Sequence, residues 1–77
     1  MHPSDFSWAL QMLKRGKRIS RAGWNGKGLW VEMAEIYMPV IGLDLEPFFV
    51  IKNVSGTLNT WVPSVSDLLA EDWEVVE

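Results

Sequence analysis

Residues 21–28 read Arg21-Ala22-Gly23-Trp24-Asn25-Gly26-Lys27-Gly28, and the path they take decides how the chain on either side is laid out. Asn-Gly is the strongest short hairpin signal, because the favoured two-residue turn needs positive φ at both central positions. The flanks agree with a hairpin. Lys17 to Arg21 places Ile19 inward on a short strand. Leu29 to Met33 alternates Leu29, Val31 and Met33 against Trp30 and Glu32, the period of a half-buried strand. A β-hairpin or broad β-loop is therefore expected around this stretch. The same eight residues also carry chemistry. Trp24 has a flat π-face, Asn25 has donors and an acceptor, and Arg21 and Lys27 are cations. Glycine lets backbone approach a ligand closely. A planar, anionic, polyhydroxylated molecule such as a nucleotide would use such a set. A turn whose Trp merely covers a small core would use it equally well.

Upstream, Phe6 to Arg15 reads as a helix. Ser4 or Asp5 caps its start and Gly16 ends it. Phe6, Ala9, Leu10 and Leu13 fall on one face, with Trp8 and Met12 as a second stripe beside it. Lys14 and Arg15 lie in the last turn, where the helix dipole favours cations. Downstream, Ile36 to Leu45 is apolar but broken by Pro39, Gly42 and Asp44, a strand fragment leading into a loop. Phe48 to Ile51 reads as a strand covered on both faces. Asn53 to Gly56 forms a turn, and Leu58 to Val62 returns as the partner strand. Ser64 caps a short helix with Asp67 in the capping-box position, and Leu68 and Leu69 dock it. Trp73 to Glu77 alternates as a final strand, with Trp73 in the core. The expected fold is α+β, a small antiparallel sheet with an N-terminal helix and a short C-terminal helix, in one domain over 1–77.

At 77 residues the core contributes only about 3–5 kcal/mol of net stability, and the chain has no cysteine to supplement it. Five tryptophans and four methionines exceed what so small a globule buries well, so a homo-oligomer is expected. Charge is split along the chain. Lys14, Arg15, Lys17, Arg18, Arg21 and Lys27 face only Asp5 in the first 31 residues, and from Glu32 onward Lys52 is the sole cation among acids. The basic half suits an anionic small molecule, while the acidic remainder argues against a DNA or RNA surface. No segment approaches a membrane span, and residues 1–5 lack the features of a signal peptide, so a cytoplasmic protein is expected.

Catalytic constellations are missing. With no cysteine and His2 alone among histidines, Ser-His, Cys-His and histidine-metal chemistry lack their parts. The Gly-rich stretch lacks the spacing of a phosphate-binding loop of nucleotide hydrolases. Glu71 and Asp72 as an acid–base pair, or Asp67, Glu71 and Asp72 as a magnesium site, are weaker readings. A non-enzyme without metal or cofactor is expected.

Leu13 to Lys27, with its Gly23-Trp24-Asn25-Gly26 motif, and Trp61-Val62-Pro63-Ser64 through Leu69-Ala70-Glu71-Asp72-Trp73 together resemble a family of small phage and prophage proteins. It includes the Thoeris anti-defence proteins of the second type. The motifs sit at both ends of the chain, while Ala34 to Asn59 carries none of them and is short. The resemblance implies a sponge that sequesters glycocyclic ADP-ribose, a cyclic nucleotide made by a bacterial immune sensor, without degrading it. It also implies homo-oligomers, commonly tetramers, with pockets between subunits, and in some relatives a second site for cyclic oligonucleotides. On matching positions, Trp24 would stack on a base. Asn25 and the backbone at Gly26 would bond phosphate or ribose, and Arg21 or Lys27 would balance phosphate charge. Trp61, Ser64 and Asp67 would form a second wall, Asp67 bonding ribose hydroxyls. The alternative is a protein-binding module that inhibits a host factor through exposed Trp and Met side chains.

Overall fold

A computed structural model describes residues 4–24, 28–35, 37–38, 43–44 and 46–76. The chain runs α1 (Phe6–Lys14), β1 (Arg18–Arg21), β2 (Trp30–Ala34), β3 (Tyr37–Met38), β4 (Leu43–Asp44), β5 (Phe48–Lys52), β6 (Leu58–Thr60), α2 (Val65–Leu69) and β7 (Trp73–Val76). Asp5 caps α1 by accepting from the Trp8 N–H at 2.9 Å. Gly16 follows the helix at φ 81°, a conformation that disfavours a side chain.

Five strands form one antiparallel sheet in the order β6-β5-β2-β1-β7, and β3 and β4 pair separately. Ile19 opposite Val31 confirms that the Gly-rich stretch joins two paired strands. The sheet's other feature is long-range. β7, last in the chain, pairs with β1, with Ile19 opposite Val75 and Arg21 opposite Trp73.

Helix α1 packs across β1, β2 and β7. Ala9, Leu13, Ile19, Val31 and Trp73 are at most 1% exposed and make the core, ringed by Phe6, Trp8, Met12, Trp24, Met33, Phe49, Ile51, Trp61 and Ala70. Alternation sends Arg18, Trp30, Glu32, Val50 and Lys52 to the opposite face. There Arg18 sits 4.3 Å over the Trp30 ring and its Nε donates to Glu32 Oε1 at 3.1 Å.

Three expectations change. Within the stretch read as one strand fragment leading into a loop, residues 37–38 and 43–44 form two short paired strands, β3 and β4. β5 is half-buried along its whole length rather than covered on both faces. Only one face of it, through Phe49 and Ile51, packs on the core. Leu68 and Leu69 do not dock α2, being 47% and 76% exposed. The residue that the short helix turns inward is Asp67, at 9% exposure. Its partners, rather than aliphatic burial, hold the helix in place.

Candidate functional site

Three stretches converge where β1 runs into the Gly-rich turn: Arg21 to Trp24, Trp61 to Ser64, and Asp67 to Trp73. The β1–β7 register brings them together, and the Ala22 N–H donates to the Asp72 carbonyl at 3.0 Å just beyond the last ladder pair. Arg21 is the centre of the junction. Its Nε donates to Asp72 Oδ1 at 2.9 Å and its Nη1 to Asp67 Oδ1 at 3.0 Å. The remaining oxygen of each aspartate is also engaged. Asp72 Oδ2 accepts from the Gly23 N–H at 2.9 Å, and Asp67 Oδ2 from the Ser64 N–H at 3.0 Å. Ser64 Oγ accepts from the Asp67 N–H at 3.1 Å, completing a reciprocal capping box. A Cβ at residue 23 would stand 2.8 Å from Asp72 Oδ2, so any side chain there pushes that carboxylate out of its present position.

The electrostatics follow from this geometry. Arg21, bonded to Asp72 and opposed by some desolvation, has its pKa raised further. Asp72 is held below the usual carboxylate range, first by the Arg21 bond. Burial pushes Asp67 upward, but the bond from the Ser64 backbone, then those from Arg21, the Ser64 hydroxyl and Trp24, outweigh it and bring it down. Each charged hydrogen bond of this kind is shorter and stronger than a neutral one.

Aromatic rings fill the space behind the brace. Trp24 meets Trp73 edge-on at 5.4 Å and 81°, and Trp61 at 6.5 Å and 71°. Trp61 meets Trp73 at 6.2 Å, with Phe6 and Phe49 extending the cluster. Apart from the tilted Phe6–Trp61 pair, the centroid separations and steep angles are those of favourable edge-to-face pairs. The Trp73 indole N–H donates to the Asp67 carbonyl at 3.0 Å, so its one polar atom is satisfied inside the core. Beside Trp24 lies a groove of about 270 Å³ lined by Ser20, Arg21, Ala22, Trp24, Gly28, Leu29 and Glu74.

Arg21, Trp24, Trp61, Ser64 and Asp67, expected at a site from the sequence, are thus brought together. Asn25, Gly26 and Lys27 lie outside the described residues. Arg21 and Asp67, expected to meet phosphate and ribose, bond to each other. Asp72 entered the sequence reading only as a weaker acid–base or magnesium candidate, and Glu74 was not singled out as a site residue. Among the described residues no group of three or more His, Asp or Glu side chains is placed to hold a metal. Asp67 and Asp72, which a magnesium site would have used, hold an arginine. No described helix is long and apolar enough to cross a membrane.

Fold and site together define a small α+β domain in which the first and last strands of the five-stranded sheet are locked by an arginine–aspartate brace over a tryptophan cluster. The chain belongs to the Tad2-like family, described as the Thoeris anti-defense 2-like domain, whose model matches residues 4–76. That match takes in Ala34 to Asn59, where the sequence carries no recognisable motif. The chain is also similar to Thoeris anti-defense 2 of Bacillus phage SP01, at 37% identity over 83 aligned positions covering 94% of this chain and 93% of that protein.

Proposed function

We propose that this chain is a phage anti-defence sponge. It binds glycocyclic ADP-ribose or a related cyclic nucleotide in the host cytoplasm and holds it without degrading it. Membership of the Thoeris anti-defense 2-like family supports action against the Thoeris system. The observation that carries the binding reading is Trp24. It is half-buried, braced edge-on against Trp61 and Trp73, and forms a wall of the groove. A ring immobilised in this way offers a stacking platform, with stacking worth about 1–3 kcal/mol per base. Trp24 stacks on the ligand, and Asn25, Gly26 and Lys27 contact its phosphate or ribose. Arg21, Ser64 and Asp67 hold the wall that includes Trp61. A shallow groove on a monomer encloses little of a cyclic dinucleotide-sized ligand, which favours a homo-oligomer, dimer or tetramer, with pockets shared between subunits. No catalytic step is part of this reading.

The test is to incubate excess protein with glycocyclic ADP-ribose, remove free ligand, and heat-denature the complex. Intact ligand appearing only after heating supports a sponge; ligand free throughout, or converted to a product, overturns it. Trp24→Ala abolishes uptake while the assembly persists. A protein-binding inhibitor is the second reading; the five tryptophans, Met12 and Met33 are half-buried or buried rather than exposed, and what favours it instead is the exposure of Val62, Val65 and Leu69 at 85%, 71% and 76%. It predicts a stoichiometric host partner in pull-downs and no dependence on Trp24.

A further inference from the structure

Two polar side chains in the groove beside Trp24 have no structural employment. Ser20 is only 9% exposed, yet no hydrogen bond to its hydroxyl is found among the described residues. Among the described residues no fully enclosed polar side-chain atom lacks a partner, so this hydroxyl reaches solvent, and the groove it lines is where it does so. Glu74 stands opposite Ser20 in the β1–β7 ladder and lines the same groove. Its carboxylate likewise has no hydrogen bond or ion pair among the described residues. The acids around the corner are different, since Asp67 and Asp72 each use both oxygens on Arg21 and backbone N–H groups or caps.

We propose that Glu74, with Ser20 beside it, is a polyol-reading site that takes the cis-diol of a ribose lying along the Trp24 ring. This deepens the sponge reading and rests on it. A carboxylate accepts two neighbouring hydroxyls at once through charge-assisted bonds, which is why acids recur on ribose in nucleotide sites. Ser20 supplies a donor or acceptor on the floor, and Trp24 covers the adjoining apolar face. The same carboxylate repels phosphate, so the groove orients the ligand. The uncharged sugar lies over Glu74 and the phosphate turns toward the opposite rim, where the Lys52 ammonium donates to the Gly28 carbonyl at 3.2 Å. Asp67 is thereby released from the ribose role, in keeping with its engagement by Arg21 and Ser64.

Isothermal titration of the full chain with glycocyclic ADP-ribose, and with the same ligand after periodate opening of its cis-diol, tests this directly. The wild type binds the intact ligand more tightly than the opened one. Glu74→Gln melts with the wild type, because residue 74 is exposed, but binds the intact ligand about tenfold more weakly, as expected when a charged acceptor becomes neutral. It also loses the preference for the intact form. Ser20→Ala shows a smaller loss of the same kind. Wild-type affinity in Glu74→Gln, or an unchanged preference for the intact diol, overturns the assignment and leaves Glu74 as a solvated residue of an edge strand. A wild type that binds neither ligand overturns the sponge reading together with it.

Discussion

Replacing Arg21 by methionine removes the brace while keeping the length of the side chain. Two hydrogen bonds between charged groups disappear, each worth about 1.5–3 kcal/mol, and two aspartates are left facing each other's vicinity without a cation. Water tempers the loss. The Asp72 side chain is 33% exposed and is partly resolvated, whereas Asp67 at 12% is not, although it keeps its Ser64 N–H. A net cost of about 2–4 kcal/mol follows, a large share of what so small a core provides. For a domain of this size that lowers Tm by roughly 10–25 °C at pH 7, read by circular dichroism. The pH dependence separates the brace from simple packing. Asp67 and Asp72 both titrate below 3.8 in the folded protein, so their contribution is complete above that value and is lost as pH falls through the lowered folded pKa values. The gap between wild type and Arg21→Met is therefore widest at neutral pH and closes progressively in the acid range below about pH 4. Arg21→Lys, which keeps the charge and loses the fork, falls between the two. A Tm within 3 °C of wild type at pH 7, or a gap that does not change with pH, refutes the brace as a source of stability.

The helices give a matched set of smaller effects. Leu69→Ser leaves the unfolding free energy from chemical denaturation within about 0.5 kcal/mol of wild type, since the side chain is 76% exposed, whereas Leu13→Ala, at 1% exposure, costs about 2–5 kcal/mol. Ser64→Ala removes one arm of the capping box and lowers stability by about 0.5–2 kcal/mol in the same assay.

Local pattern made most of the elements legible. The Asp5 cap, the Phe6–Leu13 face and Gly16 specify α1. The alternation around Val31 with Gly26 and Gly28 between strands specifies the hairpin, and Ser64 with Asp67 specifies the start of α2. These depend on neighbours within a few residues, and the chain carries that information directly. The amphipathic reading failed at Leu68 and Leu69 because five residues are too few to reveal which way a helix will face. The orientation is set from outside it, by Arg21 reaching Asp67 and by the Trp73 N–H reaching the Asp67 carbonyl.

For the site, Arg21, Trp24, Trp61, Ser64 and Asp67 were visible as residues of the right chemistry, and their motifs pointed to the family. Their partnerships were not. Pairing β7 with β1 sets Arg21 opposite Trp73 and brings it to aspartates 46 and 51 positions away, and nothing in a single sequence says that the last strand will choose the first over its own neighbours. Only that closure turns Arg21 from a free cation into the centre of a brace and leaves Ser20 and Glu74, rather than Asp67, open to the groove. The sequence by itself determined the elements, because their causes are local. The tertiary structure alone decided which polar groups are consumed by the fold and which are left open to the groove, because satisfaction of a charge depends on what long-range pairing brings beside it.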